Sequence, residues 1–297
     1  KLNEVVIKSK KSKYSRKNNP AVELMKRVIA AKRRNKLENK DFYSYDNYEK
    51  LTLSLNRISP EALKEGFISK RRYMRNQVEE SPLNDQLILP VSVTERVSQI
   101  LYRKNPKKER KIILGERSQG INELIQTGAI LNAVSADVFS EVDIYDDDIR
   151  LLQRTFLSPI AKEAIGFYRF YIIDTLKIER DSCIQLTFLP NNQQDVGFSG
   201  DLFILKDSTY HVKRVSLTLP KRTDVNFIDD MRISQEYGQL PSKDWVLTKN
   251  EMMIEMTVNR ALGNYLIVRT STRDKYDFNP ISDSKLHGLE KIKTDPD

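Results

Sequence analysis

The stretch that decides the fold is SGDLFILKDSTYHVKRVSLTLPK, residues 199–221. Its spacing predicts two β-strands around a short Lys-Asp-Ser turn. In the first strand Leu202 and Ile204 point to one face of the sheet, whereas Phe203 and Leu205 point to the other. Because a strand that is apolar on both faces belongs in the middle of a sheet, we expect helices to cover at least one face.

The same alternation extends well beyond this hairpin. From Phe167 onwards, short alternating segments follow one another with turn residues between them, which predicts an antiparallel meander. A change of parity in the second strand predicts a β-bulge near Lys213-Arg214. Upstream, residues 42–56 alternate as one strand, and residues 87–103 are interpreted as a strand pair that turns near Glu95.

Helix starts occur where a capping residue precedes proline. Asn19-Pro20, Ser59-Pro60 and Ser158-Pro159 each predict a helix. The apolar residues between Ile121 and Val138 recur at helical spacing and predict another. The predicted fold class is therefore α+β, a curved antiparallel sheet of half-barrel form wrapped around a few helices.

Composition favours a soluble chain with a substantial core. Of its 297 residues, 39% are hydrophobic and 31% are charged, and the mean hydropathy is −0.54. The longest uncharged stretch, Leu124–Ala136, is shorter than the ~20 apolar residues of a membrane-spanning helix. The chain begins with Lys1 and without a signal peptide, so we interpret it as a piece of a longer protein.

The excess of 50 basic over 41 acidic residues, a net charge of +9, is concentrated near the start of the chain. Such runs attract anions, namely nucleic-acid phosphate, anionic lipid headgroups or lipopolysaccharide phosphate, although a solvated linker and a solvated helix face are the favoured explanation. Because Tyr14 is the sole aromatic in the first run, base stacking has little support and nucleic acid is disfavoured as a partner. The candidate contacts with an anionic surface are Lys10, Lys11, Lys13, Arg16, Lys17, Arg33 and Arg34.

Catalytic signatures are missing from the sequence. With only two histidines, His211 and His287, neither a zinc-binding HExxH helix nor a multi-histidine site is available. No nucleophile elbow or phosphate-binding loop occurs. Cys183, the only cysteine, lies in an alternating stretch and is interpreted as a packed interior residue. We therefore predict no catalytic residue and no cofactor.

The acidic run EVDIYDDD, residues 141–148, carries five carboxylates in eight residues. Calcium favours such oxygen donors, but the run lacks the glycine and the alternate spacing of an EF-hand loop. Capping of a helix formed by IRLLQRTF, residues 149–156, explains Asp146–Asp148 more economically. We therefore predict no metal ligand, with calcium as the open alternative.

The order of motifs resembles a family of large Gram-negative outer-membrane proteins of unknown function. The resemblance rests on LNEVVIKSKKSKYSRKNNPAVELMKRVIAAKRRNK, YDNYEKLTLSL, FLSPIAKEAIGFYRFYIIDT, FSGDLFILKDSTYHVKRVSLTLP and VNFIDDMRISQEY, which together span nearly the whole chain. Members carry a carboxypeptidase-regulatory-like β-sandwich, a soluble middle region and a C-terminal outer-membrane β-barrel. The family has no agreed catalytic residues, so none is carried over.

The resemblance implies where the chain sits in a longer protein. It corresponds to the middle region: residues 1–18 would be the last strand of the sandwich with a basic linker, 19–280 one half-barrel-like domain, and 281–297 a linker towards the barrel. The implied location is the periplasmic face of the outer membrane. The implied partners are an outer-membrane lipid or lipoprotein and the protein's own sandwich and barrel domains.

The segment GDLFILKDSTYHVKRVSL also resembles periplasmic lipoprotein-carrier proteins, in which an incomplete barrel closed by helices shelters acyl chains. A chain of ~14 carbons could contribute roughly 11 kcal/mol of binding free energy at ~0.8 kcal/mol per buried CH₂. Such a ligand needs an apolar cavity of about 300–1,000 Å³. The candidate wall of that cavity consists of Leu202, Ile204, Phe227, Trp245, Met252 and Met256.

Three function classes follow from these readings. The first is a non-catalytic periplasmic module that binds a lipid or lipoprotein acyl chain. The second is a structural spacer or protein-interaction module that supports assembly of an outer-membrane barrel. The third is a hydrolase that uses paired carboxylates, whose mark would be two acidic side chains in one pocket with raised pKa values.

Overall fold

The computed structural model describes residues 14–65, 70, 72–120, 141–151, 154–192, 194–219, 228–259 and 263–288. The predicted strand at residues 2–9, the predicted helix at 121–138 and Phe227 lie outside these ranges. Within them, the strands are β1 (Phe42–Leu55), β2 (Glu79–Glu80), β3 (Leu87–Arg103), β4 (Lys108–Gly120), β5 (Asp148–Leu151), β6 (Arg154–Leu157), β7 (Tyr168–Ile178), β8 (Asp181–Pro190), β9 (Ser199–Leu205), β10 (Val212–Thr218), β11 (Ile228–Gln239), β12 (Trp245–Asn259) and β13 (Gly263–Asp277).

The helices are few and mostly short. Among the described residues they are α1 (Pro20–Asn35), α2 (Pro60–Lys64), α3 (Arg72–Arg75), α4 (Ala164–Phe167) and α5 (Asp283–His287), with a 3₁₀ turn at Leu37–Asn39. None of these helices is long and apolar enough to cross a membrane. The sheet therefore dominates the fold.

One large sheet contains every strand of the described ranges except β5 and β6. Its order is β2-β3-β1-β13-β12-β11-β10-β9-β8-β7, with β4 paired to β3 as well, and each of these pairings is antiparallel. The predicted bulge in β10 is confirmed, since the register shifts between Val212 and Arg214. The predicted fold class, a curved antiparallel sheet with a few helices, is confirmed.

Helix α1 is the main helical element packed on the sheet. It begins as predicted: Asn19 Oδ1 accepts a hydrogen bond from the Ala21 N–H at 3.0 Å. Pro20 suits the first helical position because proline has no N–H that would be left unpaired there. Its apolar stripe is buried against the sheet, and the buried residues are Ala21, Val22, Leu24, Met25, Val28, Ala31 and Lys32. The helix predicted after Ser59 is confirmed as α2, where Ser59 Oγ accepts from the Ala62 N–H at 3.2 Å.

Three local predictions fail wholly or in part, for identifiable reasons. Residues 87–103 form the single strand β3, because Arg96 at the expected turn is satisfied across the sheet by Glu116 of β4, with Nε and Oε2 2.7 Å apart. Residues 149–151 and 154–156 belong to the paired strands β5 and β6 instead of a helix, because Ile149 and Leu151 alternate into the core. The helix predicted from Ser158 is reduced to α4, since residues 158–163 form turns.

Candidate functional site

The residues predicted to line an acyl-chain cavity lie inside the protein's own core. Leu202, Ile204, Met252 and Met256 are each at most 1% exposed. They belong to one continuous apolar cluster, and the half-buried Trp245 packs against it. These five side chains therefore share a face as expected, but they contact other protein side chains there.

Side chains from outside the large sheet belong to the same cluster. Met25 and Val28 of α1 belong to the cluster, as do Ile144 and Phe156 from the segment that contains the β5–β6 hairpin. Two hollows of about 420 Å³ each lie on the described surface, and the predicted ligand residues line neither of these two. One is formed by the acidic run, and the other by residues 240–242 and 276–279.

A buried polar group sits at the margin of this core. His211, 1% exposed, donates from Nδ1 to the Val212 carbonyl at 2.9 Å, which leaves Nε2 to accept from Tyr145 Oη at 3.0 Å. The ring also stacks on Trp245, with centroids 5.6 Å apart. Burial lowers the pKa of His211 to about 4 and raises that of Tyr145. The histidine is therefore neutral at physiological pH and acts as a packed structural group.

A charged cluster lies on the same face of the sheet, and sequence reasoning did not find it. Arg269 is 2% exposed, and its Nη2 lies 2.7 Å from Oε2 of Glu49, which is 3% exposed. The same Nη2 lies 3.1 Å from Oε1 of Glu141, whose other oxygen is bound by Arg273. Burial raises the pKa of Glu141, but the charges of Arg273 and Arg269 outweigh this and hold it below its ordinary value.

The acidic run is held to α1 by lysines. Lys32 Nζ lies 2.5 Å from Asp147 Oδ1, and Lys36 Nζ lies 2.5 Å from Asp146 Oδ1. Within the described ranges, no group of three or more histidine, cysteine or carboxylate side chains is placed to hold a metal ion. The contacts of Asp146 and Asp147 favour a role in clamping the segment onto the fold.

The hydrolase hypothesis requires two acidic side chains in one pocket, and Glu141 and Asp143 are the pair to consider. Burial raises the pKa of Asp143, which shares a hollow with Glu141, whose pKa is lowered. Such a divergence is what a general acid and base require. Both oxygens of Glu141, however, are bound by arginines, and Asp143 Oδ1 accepts from the Tyr145 N–H at 2.8 Å. These contacts engage the carboxylates in holding residues 141–145 in place.

Polar side chains extend the charged cluster across neighbouring strands. Ser271 Oγ donates to Asn47 Oδ1 at 2.6 Å, Asn250 lies opposite Ser271 in the β12–β13 pairing, and Gln235 Nε2 donates to the Val142 carbonyl at 2.7 Å. We call the whole set the polar belt. Its members are Asn47, Glu49, Gln235, Asn250, Arg269 and Ser271.

The candidate anionic-surface residues are only partly within the described ranges. Arg16, Lys17, Arg33 and Arg34 are exposed. Arg16 is fixed by donating to the carbonyls of Ile165 and Gly166 at 2.8 and 2.6 Å. Lys10, Lys11 and Lys13 lie outside the described ranges. Arg16 and Lys17 precede α1, whereas Arg33 and Arg34 lie near its C-terminal end, so most of the helix separates the two pairs.

A family model described as "Family of unknown function (DUF5686)" matches residues 24–272. The chain belongs to this family. The match covers the whole sheet from β1 to most of β13, so the prediction of a family without an assigned function is confirmed. No curated protein matches the chain.

Three solved structures show distant similarity. A domain described as an outer membrane lipoprotein-sorting protein from Vibrio parahaemolyticus is 11% identical, with a TM-score of 0.32, covering 91% of this chain and 98% of that one. A DUF1329 family protein from Desulfovibrio piger is 9% identical, with a TM-score of 0.33, covering 91% and 99%. A LolA superfamily protein from Nitrosomonas europaea is 7% identical, with a TM-score of 0.31, covering 90% and 96%. Scores at this level add no argument to the topology described above.

The polar belt could have been found from strand parity. Leu51, Leu53 and Leu55 share a face of the alternating strand at residues 42–56, and continuing the period of two backwards places Glu49 and Asn47 on that face as well. The partner carboxylate, Glu141, gave no such signal because it lies outside the sheet, and its contact with Arg269 is a product of tertiary folding.

Proposed function

We propose that the chain is a non-catalytic periplasmic module of an outer-membrane protein and acts as a rigid spacer and protein-interaction domain. The single observation that carries this proposal is the filled core face of the sheet, where side chains of α1 and of residues 141–151 and 154–157 belong to the buried cluster. The family resemblance supports the envelope setting. A rigid module needs a well-packed core and no internal cavity.

The acyl-chain hypothesis requires space for a ligand beside the same core residues. A lipid chain that reached Met252 or Leu202 would have to displace core side chains, because both residues are buried in one apolar cluster with Met25 and Val28 of α1. Displacing the helix would also break the contact of the buried Lys32 with Asp147. An acyl chain would therefore have to compete with the protein's own side chains.

The decisive experiment has two parts. The first measures the free energy of unfolding of a core-truncation variant in lipid-free protein, and the second measures the lipid content of the purified wild-type chain. Met252→Ala is expected to lower the free energy of unfolding by ~2–5 kcal/mol, as for a packed core residue. Ile113→Ala, at a 53% exposed apolar position, should change it by less than ~0.5 kcal/mol and is the matched control. Lipid extraction and mass spectrometry should find no stoichiometric acyl chain.

The opposite result would favour a lipid-binding module. Stoichiometric lipid in the wild-type chain, together with unchanged stability of lipid-free Met252→Ala, would mean that Met252 lines a space kept for a ligand. Loss of that lipid in the variant would complete the case. Either half of this outcome contradicts a filled core.

The spacer role is tested in the full-length protein. Replacing residues 14–288 with a flexible linker is expected to lower the yield of folded barrel, measured by its heat-sensitive migration on gels. A full-length variant that carries the exposed Ile113→Ala change serves as the control and should assemble normally. Normal assembly of the linker variant would argue against a supporting role.

A further inference from the structure

Strand β7 exposes three consecutive apolar side chains at the margin of the sheet. Tyr171, Ile172 and Ile173 are 38%, 43% and 57% exposed. A β-bulge between Ile172 and Asp174 interrupts the alternation that would otherwise turn every second side chain inwards. Within the described part of the chain, β7 is the last strand of the sheet. A run of three exposed apolar residues is unusual on a soluble surface unless it serves a function.

Basic and aromatic residues surround this run. The ring of Tyr14 lies 5.3 Å from that of Tyr171, and the Arg169 guanidinium lies 5.8 Å from the centre of the Tyr14 ring. The run of lysines at residues 8–13 leads directly into Tyr14.

The free edge of β7 is poorly suited to pairing with another strand. The Phe170 N–H donates to Tyr14 Oη at 3.1 Å, so this backbone donor is already occupied by a side chain. The Thr175 N–H donates to Asp174 Oδ1 at 2.7 Å. Between these two positions the bulge breaks the regular spacing of the edge, which is a common way to block strand addition.

We infer that Tyr14, Arg169, Tyr171, Ile172 and Ile173, which we call the edge patch, dock onto an anionic lipid surface. Exposed aliphatic side chains insert at the boundary between headgroups and acyl chains, and tyrosine rings favour the same depth. Neighbouring lysines and arginines are attracted to the lipid phosphates. Of the three charged residues of β7, Arg169 and Lys177 are basic and only Asp174 is acidic.

This inference goes beyond the proposed spacer function and can fail separately from it. The spacer proposal depends on what fills the core, whereas the edge patch concerns a surface outside the core. A chain with no extractable lipid can still bind vesicles through this surface.

The test is co-sedimentation of the 297-residue chain with vesicles of phosphatidylcholine alone or mixed with phosphatidylglycerol. The wild-type chain should bind only the anionic vesicles. Ile172→Thr/Ile173→Thr keeps β-branched side chains in the strand and should weaken that binding by ~10-fold or more, because two apolar side chains lose their burial. Thermal unfolding of both proteins checks that the variant is folded.

The matched control is Val97→Thr/Ile113→Thr, the same chemical change at apolar side chains that are 39% and 53% exposed on β3 and β4. It should bind vesicles like the wild type. A charge variant, Lys10→Gln/Lys11→Gln/Lys13→Gln, should lose roughly 10- to 100-fold in affinity for the anionic vesicles at low salt. High salt should weaken wild-type binding in the same direction.

Three outcomes would overturn the inference. Equal binding to neutral and anionic vesicles would remove the role of charge. Equal binding by the edge-patch variant and its control would remove the role of the patch. Loss of self-association in the edge-patch variant, with no vesicle binding by the wild type, would identify a second copy of this chain as the occupant.

Discussion

One buried face of the sheet carries apolar side chains in one part and polar side chains in another part of the same strands. On β12, Met256 and Ile254 are apolar, and Asn250 further back on the same face is polar. On β13 the face changes from Ile267 to Arg269 within two residues. We call the part of this face with Ile254, Met256 and Ile267 the apolar end, and the part with Asn250 and Arg269 the polar end. Since both are buried, burial alone does not determine which chemistry a strand position carries.

The difference lies in what covers each end. The apolar end lies beneath α1 and the β5–β6 segment, so that side chains of matching shape are enough to stabilise it. The polar end contacts Val142 and Glu141: the Val142 carbonyl accepts a hydrogen bond from Gln235, and the Glu141 carboxylate pairs with Arg269. The polar belt therefore holds the acidic segment in one position, which apolar packing alone would not specify.

The largest expected effect comes from breaking the charged centre of the belt. Arg269→Leu would leave Glu49, 3% exposed, without its close cationic partner. Removing one member of a buried ion pair typically lowers the free energy of unfolding by ~3–5 kcal/mol. Denaturant unfolding of the variant and the wild type measures this loss.

The control for that variant is Glu49→Leu/Arg269→Leu, which removes both charges. Because replacing both members of a buried pair with apolar groups is often close to neutral, the double variant should recover much of the lost stability. If both variants were equally unstable, the charge left on Glu49 would not be the cause, and the two ends of the face would behave alike.

An intermediate effect is expected at His211, which lies at the margin of the apolar end. Its pKa is about 4 in the folded protein against 6.5 ordinarily, because it is buried. Above pH 6.5 neither state takes up the proton, so stability is unaffected. As the pH falls from 6.5 to 4, the unfolded chain is protonated first, and stability is lost by roughly 3 kcal/mol in total.

His211→Asn separates this effect from that of the carboxylates, since asparagine does not titrate but can still donate to the Val212 carbonyl. The wild type and the variant should show different slopes of unfolding free energy between pH 6.5 and 4, with the wild type losing more. Parallel slopes in urea titrations at several pH values would show that His211 becomes protonated in the folded state.

The apolar end was far easier to predict from sequence than the polar end. Period-two patterns identified most of the strands, and capping residues identified α1, because both signals are local. The ion pair between Arg269 and Glu141 joins residues 128 positions apart, and nothing in either local sequence indicates the other. The β5–β6 hairpin was missed because IRLLQRTF is short enough to fit both periods.

The smallest effect tests whether individual hydrogen bonds matter within the belt. Ser271 and Ser98 both have buried hydroxyls on this part of the sheet, but Ser271 Oγ donates to Asn47 at 2.6 Å, whereas Ser98 Oγ has no hydrogen-bond partner among the described residues. Ser271→Ala should therefore cost ~1–2 kcal/mol of unfolding free energy, because it leaves a buried amide oxygen without its donor.

Ser98→Ala removes a hydroxyl of the same kind at a position directly opposite Asn47 in the β1–β3 pairing, and should be neutral or slightly stabilising. The difference between the two variants, measured by denaturant unfolding, isolates the hydrogen bond from the loss of the hydroxyl itself. Equal losses would mean that a buried hydroxyl is tolerated here whether or not it is paired. The belt would then owe its stability to the ion pairs of Arg269 alone.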